Sequence, residues 1–225
     1  MKILLTGATG VIGRRVVPLA LACGHEVTAI VRSPPKAAAL GLGKAQSVQV
    51  DLFDPGAVMN AVAGHDIIVN LATHMPSSSA RMLLRSAWRQ NDRIRRLASR
   101  NLVAGARGSS VRAFVQESFA PVYPDCGDDW IDETVPINPA RYNESIQDAE
   151  HSALGFSDGG RRGTCRSRAY RIGRGRKGPV IYSQRSNRPR CLARISPQEG
   201  PGRAGLLSVG GLVTLLPEAV GPTAS

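Results

Sequence analysis

The sequence predicts an α/β fold in which helices cover both faces of a doubly wound parallel sheet. The first observation behind this prediction is a regular alternation of strand-like and helix-like segments over roughly the first half of the chain. The second is a turn with three glycines, which joins the first strand-like segment to the first helix-like one. The predicted strands are Ile3–Leu5, Glu26–Val31, Val48–Leu52, Asp66–Leu71 and Val111–Gln116.

Residues that favour helix ends mark where the predicted helices begin and stop. The first helix follows the glycine turn and ends at Gly24, because glycine readily adopts the left-handed conformation of a helix C-cap. Another helix begins with Asp54 as the N-cap and Pro55 as its first residue, and it runs to about Gly64. The apolar run from Asp66 to Leu71 then predicts a strand that is buried on both faces, as in parallel sheets.

An arginine-rich helical region is predicted for about residues 80–107. Its arginines fall mainly three or four residues apart, which predicts a solvent-exposed helix face. Binding of an anion is the alternative, because Asp92 is the only acidic residue in this region. The eight arginines are Arg81, Arg85, Arg89, Arg93, Arg95, Arg96, Arg100 and Arg107.

The glycine turn, TGATGVIG at residues 6–13, predicts a dinucleotide-binding site of the Rossmann type. Its three glycines allow a tight turn, the approach of a pyrophosphate and close packing of helix on strand. The pyrophosphate is then expected to bind the free N–H groups at the helix N-terminus. A purely structural turn is the alternative. The cofactor-binding residues predicted here are Gly7, Thr9, Gly10, Val11, Ile12 and Gly13.

The end of the second predicted strand indicates which cofactor is preferred. An NAD site has an acidic residue about twenty positions after the glycine turn, whereas an NADP site places an arginine nearby. This chain has Arg32 there and no acid, and Arg14 offers a second positive charge. The sequence therefore predicts NADP in preference to NAD. The alternative is that both arginines are ordinary solvated surface charges.

Charge and cysteine content narrow the class of protein. The net charge is +12, but residues 1–160 carry 16 basic and 15 acidic side chains, so that nearly all the excess lies in residues 161–225. That tail has only two aromatic residues, too few for a nucleic-acid stacking platform, and we expect no nucleic-acid partner. The four cysteines are far apart and form no C-x-x-C pair, which indicates reduced thiols in a cytoplasmic protein without a metal site.

The segment after the fifth predicted strand carries the most specific motifs. It reads ESFAPVYP and then DETVPINPARYNESIQDAE. The chain also has Val-Asp-Leu at residues 50–52 and Asn-Leu-Ala at residues 70–72. With these motifs and the glycine turn, residues 1–158 resemble the extended short-chain dehydrogenase/reductases of the NAD-dependent epimerase/dehydratase type. That family typically shows Ser-x-x-x-Val-Tyr, Glu-x-x-Pro-x-x-Pro, Tyr-x-x-x-Lys and a terminal Glu. The matching residues here are Ser118, Val122, Tyr123, Glu133, Pro136, Pro139, Tyr142 and Glu150.

The resemblance also implies roles for particular residues. Asp51 and Leu52 would contact the adenine, and Ala72 would lie beside the cofactor's ribose. Ser118 would hold the substrate carbonyl or hydroxyl, and Tyr142 would be the acid/base. Ser118 follows a strand at its carboxyl end, where open α/β sheets bind ligands. The alternatives are a turn or helix-cap serine and a tyrosine that only packs.

One position departs from the family pattern. The family's lysine would stand four residues after Tyr142, one helical turn along and on the same face, where this chain has Ile146. The lysine's charge lowers the pKa of the phenol. A phenol without that help is only about one part in a thousand ionised at pH 7. The sequence therefore predicts a cofactor site with an impaired proton relay.

Residues 160–225 do not match the family, and we divide the chain into a Rossmann domain, 1–159, and a basic, largely irregular tail. A family member would continue with a buried apolar strand and a Gly-x-x-Tyr-Gly-Pro turn, whereas this chain gives RRGTCRSRAYRIGRGRKG. All four Phe and both Trp precede residue 160. We therefore expect a tail translated in a shifted reading frame, which would lack the family's sixth strand and substrate-binding region. The alternative is a genuine basic tail that binds RNA or anionic lipid.

Two functions remain open at this stage. The first is an NADP-dependent oxidoreductase or epimerase that acts on the hydroxyl or carbonyl of a small molecule. The second is a non-catalytic NADP-binding sensor or regulator. Retention of Ser118 and Tyr142 favours the first, and Ile146 favours the second.

Overall fold

The computed structural model describes residues 1–39, 42, 44–118, 136–157, 162–165, 170–175, 178–183 and 190–194. Six strands form one parallel sheet: β1 (Lys2–Thr6), β2 (Glu26–Val31), β3 (Gln46–Gln49), β4 (Ile67–Asn70), β5 (Ala113–Gln116) and β6 (Arg162–Cys165). Their order across the sheet is β3-β2-β1-β4-β5-β6. The order reverses between β1 and β4, and a crevice for a ligand is expected outside the carboxyl ends of these two strands. The predicted doubly wound parallel sheet is confirmed.

Seven α-helices lie in the described residues: α1 (Gly13–Ala22), α2 (Pro34–Ala39), α3 (Pro55–Val62), α4 (Ser79–Met82), α5 (Arg85–Arg93), α6 (Ser99–Arg107) and α7 (Ser145–Leu154). A π-helical turn, Ile94–Ala98, joins α5 to α6. In α3 the Asp54 carboxylate accepts hydrogen bonds from the N–H groups of Gly56, at 2.9 Å, and Ala57, at 3.2 Å. Asp54 is therefore the N-cap that the sequence predicts.

The sheet has an apolar core on each face, because successive strand residues point to opposite sides. Ile3 and Leu5 of β1 lie in the core that packs against α1, and Leu4 lies in the core beneath α3, α6 and α7. The second core includes the rings of Phe114 and Phe156, whose centroids are 6.0 Å apart. Both faces of the sheet are therefore buried, in agreement with the apolar runs of the sequence.

Two elements differ from the prediction. Strand β3 covers Gln46–Gln49 and not Val48–Leu52, because the backbone turns directly after it: the N–H of Asp54 donates to the carbonyl of Asp51 at 3.1 Å. Helix α2 was not predicted, although Ser33 followed by Pro34 is a typical helix start and the Ser33 carbonyl accepts from the N–H of Ala37 at 3.1 Å. The predicted arginine-rich helical region is found as α4, α5, the π turn and α6.

The basic tail contributes four strands among the described residues. Strand β6 pairs in parallel with β5, with Arg162 opposite Ala113. The chain therefore has a sixth strand at this position, although its sequence, Arg-Gly-Thr-Cys, is not the apolar strand expected of the family. It stands at the sheet edge and pairs with one neighbour, so it does not need the apolar run of a central strand. The strands β7 (Tyr170–Gly175), β8 (Gly178–Ser183) and β9 (Arg190–Arg194) form a separate antiparallel sheet.

Candidate functional site

The glycine turn between β1 and α1 has the geometry that a dinucleotide needs. Gly7 has a φ of +71°, in the left-handed region, and a Cβ there would overlap the backbone of Leu71. A Cβ on Gly13 would overlap the carbonyl of Gly7, so the helix start packs directly on the turn. A Cβ on Gly10 would meet only the Gly7 oxygen, at 3.1 Å. Gly10 thus leaves room on the cleft side, as the approach of a pyrophosphate requires.

The first turn of α1 has no side-chain cap. Its N-cap is Ile12, an apolar residue that makes no side-chain capping bond to the backbone N–H groups of the helix start. Pro18 lies inside the helix, well beyond this first turn. The helix start also carries the positive end of the backbone dipole, and both features favour a phosphate group there.

A cleft of about 430 Å³ lies at the carboxyl ends of β1 and β2, above the glycine turn. Seven of the predicted cofactor-binding residues line it: Gly7, Thr9, Gly10, Arg32, Asp51, Leu52 and Ala72. The other three predicted residues do not line it. Val11 is 54% exposed, Ile12 caps the helix, and Gly13 is buried against the turn. The structure thus brings together residues from four separate segments of the sequence.

The loop that follows β3 is held in place by side chains. The Asp51 carboxylate accepts a hydrogen bond from the N–H of Phe53 at 2.9 Å. The amide of Asn101, in α6, donates to the carbonyl of Leu52 at 3.0 Å. These bonds fix the loop at the mouth of the cleft, and Phe53 is one of the residues that line the cleft.

A buried polar network joins the carboxyl ends of β1, β4 and β5 beneath the cleft. Asn70 accepts a hydrogen bond from the Thr6 hydroxyl at 2.5 Å. Its amide donates to Gln116 at 2.8 Å and to the Ser99 hydroxyl at 3.1 Å. Asn70 also accepts from the N–H of Ala72 at 3.3 Å. The sequence marks Asn70 only through an Asn-Leu-Ala motif, and these partners could not be assigned without the fold.

The candidate substrate-binding serine lies at the end of β5. Ser118 is 4% exposed and its hydroxyl donates to the carboxylate of Glu150, which is 2% exposed and lies in α7. The sequence pattern picks out both residues, but it gives no indication that they are in contact. Ser118 is not among the residues that line the cofactor cleft.

A buried charge cluster lies beside Ser118. Burial raises the pKa of Glu117 to about 7, although the positive charge of Arg95 acts in the opposite direction. Arg95 is 3% exposed, and burial lowers the pKa of its guanidinium. The prediction of a solvated arginine face is therefore wrong at Arg95, which points inward because Asn143 accepts its hydrogen bond at 3.0 Å and acidic groups surround it.

The candidate acid/base, Tyr142, lies in a turn and not on a helix, because α7 begins only at Ser145. Its side chain is 36% exposed, and its ring lies on that of Trp88 with the centroids 4.8 Å apart. Ile146 is 1% exposed. The expectation that positions 142 and 146 share one helix face is therefore wrong, since the helix starts between them. Val122, Tyr123 and Glu133 lie outside the described residues.

Comparison with known proteins agrees with the geometry of the cleft. The sequence profile of a family described as NAD(P)H-binding matches residues 7–154, more than half of the chain. The chain belongs to this NAD(P)H-binding family. The fold implied by the resemblance is also confirmed, because a short-chain dehydrogenase/reductase superfamily protein shares it. A putative epimerase from Burkholderia cenocepacia, 27% identical with a TM-score of 0.57, is among the solved structures that match. Across the described residues, no helix is both long and apolar enough to cross a bilayer.

Three relatives illustrate the similarity. A 3-diazoavenalumate denitrifying reductase from a Streptomyces species is 34% identical over 143 residues, which cover 61% of this chain and 44% of the relative. An isoflavone reductase homolog from Zea mays is 35% identical over 82 residues, 33% of this chain and 26% of the relative. A short-chain dehydrogenase/reductase superfamily protein from Agrobacterium tumefaciens, solved with NAD, has a TM-score of 0.54 at 24% identity. The match covers 68% of this chain and 44% of that protein. The chain thus spans about half the length, or less, of the proteins it matches.

The cleft of this NAD(P)H-binding chain fits the cofactor that its family implies. Gly10 leaves space beside an uncapped helix start, where a pyrophosphate would bind. Asp51 and Leu52 line the cleft beyond β3, and Arg32 lines it at the end of β2. The family match identifies the cofactor as NAD(P)(H), and the cleft between the glycine turn and the loop after β3 has the features that this cofactor needs.

Proposed function

We propose that the chain binds NADP(H) in preference to NAD(H). Arg32 lines the cleft at the end of β2, and Asp51 is the only acidic residue among the described residues of the lining. An arginine at this place binds a ribose 2′-phosphate through charge-assisted hydrogen bonds, whereas an NAD site needs an acid that accepts from the 2′-hydroxyl. The cleft that unites the glycine turn with Arg32 is the observation that carries the proposal.

We further propose that the chain is an oxidoreductase for a small hydroxyl or carbonyl compound. The bound nicotinamide supplies a hydride donor or acceptor. Tyr142 moves the proton and Ser118 binds the reacting oxygen, and the reductase names of two relatives support reduction over epimerisation. Activity is impaired, because Ile146 is buried and apolar where the family has a lysine.

A specific observation also favours a second function, that of a non-catalytic NADP-binding sensor. The Ser118 hydroxyl donates its proton to Glu150, and Ile146 has no charge that could lower the pKa of the phenol at position 142. Both features weaken catalysis, and none of these residues is among those that line the cofactor cleft. Under either function the proposed location is the cytoplasm, and no nucleic-acid partner is proposed.

Equilibrium titration of the full chain with NADPH and NADH tests the first proposal. The fluorescence of the reduced nicotinamide reports binding of both cofactors, so one protein sample gives both dissociation constants. Tighter binding of NADPH is expected, by about ten- to a hundredfold. Equal affinities would contradict the preference, and binding of neither cofactor would contradict the cleft assignment itself.

A further inference from the structure

The wall of the cofactor cleft contains one aromatic ring among its described residues, that of Phe53. The guanidinium carbon of Arg93 lies 3.8 Å from the centroid of this ring. That distance is well within the range of a cation–π contact. The guanidinium covers one face of the ring, and Phe53 also lines the cleft.

The backbone that carries the ring is also fixed. The N–H of Phe53 donates to the Asp51 carboxylate at 2.9 Å, and the preceding carbonyl, that of Leu52, accepts from Asn101 at 3.0 Å. Together with the Arg93 contact, these bonds hold backbone and side chain before any ligand binds. A surface that is ordered in advance costs less conformational entropy on binding.

The π turn between α5 and α6 explains how Arg93 and Asn101 reach the same loop. The two residues are eight positions apart, which in a regular α-helix would place them about 80° apart around the axis, at roughly 100° per residue. A π turn takes up one more residue than an α turn does. Because the π turn at Ile94–Ala98 takes up one residue, Arg93 and Asn101 are arranged as if they were seven positions apart in an α-helix. Their directions around the helix axis then differ by only about 20°. Both side chains then face the loop after β3.

We infer that Arg93 is a positioning residue for the cofactor, which holds the Phe53 ring as a wall against which the adenine base packs. The inference rests on the cofactor cleft and goes beyond the preference for NADP. Phe53 lines the cleft and would touch the base, whereas Arg93 does not line it, although its helix neighbours Gln90 and Ile94 do. Arg93 thus acts through Phe53 and not on the phosphates.

Titration with NADPH and with reduced nicotinamide mononucleotide, which has no adenine, tests this inference. Packing of a base on an aromatic ring predicts that Phe53→Ala weakens NADPH binding about tenfold. An exposed cation–π contact predicts that Arg93→Ala weakens it about threefold. Neither substitution should change the affinity for the mononucleotide. The matched control, Arg89→Ala, removes another exposed arginine of α5 and should change neither affinity.

A double substitution separates the positioning role from a direct charge effect. In the Phe53→Ala background, Arg93→Ala should have no further effect on the affinity for NADPH. An equal loss of affinity in both backgrounds would show that Arg93 acts on the cofactor through its charge and would overturn the inference. Unchanged NADPH affinity in Phe53→Ala would overturn it too. Failure of the unaltered chain to bind NADPH would instead overturn the cofactor cleft, and the inference with it.

Discussion

The Ser118 hydroxyl donates its proton to the Glu150 carboxylate, which joins the end of β5 to α7. Both side chains are buried. A serine hydroxyl has one proton to donate and two lone pairs that accept. In this arrangement Ser118 offers a substrate only a hydrogen-bond acceptor. It can donate to a carbonyl oxygen only after its proton leaves Glu150.

Removal of this hydroxyl should destabilise the fold. Ser118→Ala leaves a buried carboxylate without one of its donors, and we expect a loss of about 1.5 to 3 kcal/mol in the free energy of unfolding. Urea denaturation followed by circular dichroism measures it. The control is Ser152→Ala, since that hydroxyl donates to the Asp148 carbonyl on an exposed part of the same helix. A loss no larger than in the control would contradict the strength of the Ser118–Glu150 bond.

The stability of the fold should depend on the protonation of Glu117. Its pKa is about 7 in the folded chain and 4.5 ordinarily, so between these values the folded state holds a proton that the unfolded state releases. The free energy of unfolding should therefore fall as pH rises from about 4.5 to 7, by roughly 3 kcal/mol, and then level off. The free energy of unfolding, measured by urea denaturation across this range, should change less steeply with pH in Glu117→Gln than in Glu26→Gln. Glu26 is exposed and serves as the control. Identical slopes would show that Glu117 titrates normally.

Reductase activity should be slow, and it should depend on Tyr142. Oxidation of NADPH with a panel of carbonyl compounds, followed by absorbance, is expected to be slow because no lysine assists the phenol. Tyr142→Phe keeps the ring on Trp88 and removes only the hydroxyl, and it should reduce the remaining rate about a hundredfold or more. Rapid turnover that persists in this variant would show that another group carries the proton.

The fold and most of the cleft could be predicted because their signals are local. The glycine turn, the apolar strands and the Asp54-Pro55 helix start each depend on neighbouring residues, and all but β3 were found close to where they were expected. Strand β2 even has its predicted limits, Glu26–Val31. Asp51 and Leu52 came from a family resemblance, and the structure places both in the lining.

Features that depend on distant contacts could not be predicted. Arg95 has the same helical spacing as its exposed neighbours, but Asn143, 48 positions later, draws it inward. The π turn that displaces the helix register has no recognised sequence signal here, although it decides where Arg93 points. Tyr142 and Ile146 fit a helical spacing in the sequence, but α7 starts at Ser145, between them.

We continue to propose that residues from about 160 onward come from a shifted reading frame. The sixth strand is an edge strand and carries an Arg-Gly-Thr-Cys sequence, which is unlike the buried Val/Leu strand of the family. Translation of the other two frames of the coding DNA beyond codon 160 tests this directly. An apolar strand followed by a Gly-x-x-Tyr-Gly-Pro-like turn is expected in one of them. Its absence from both would favour a genuine basic tail.

The ratio of the NADPH and NADH dissociation constants, measured for the unaltered chain and for Arg32→Ala, tests the central claim most directly. We expect a preference for NADPH of about ten- to a hundredfold that falls to near unity in Arg32→Ala, because charge-assisted bonds to the 2′-phosphate are lost. Arg100→Ala, an exposed arginine of α6, should keep the full preference. Equal affinities in the unaltered chain, or a preference that Arg32→Ala leaves intact, would contradict the account.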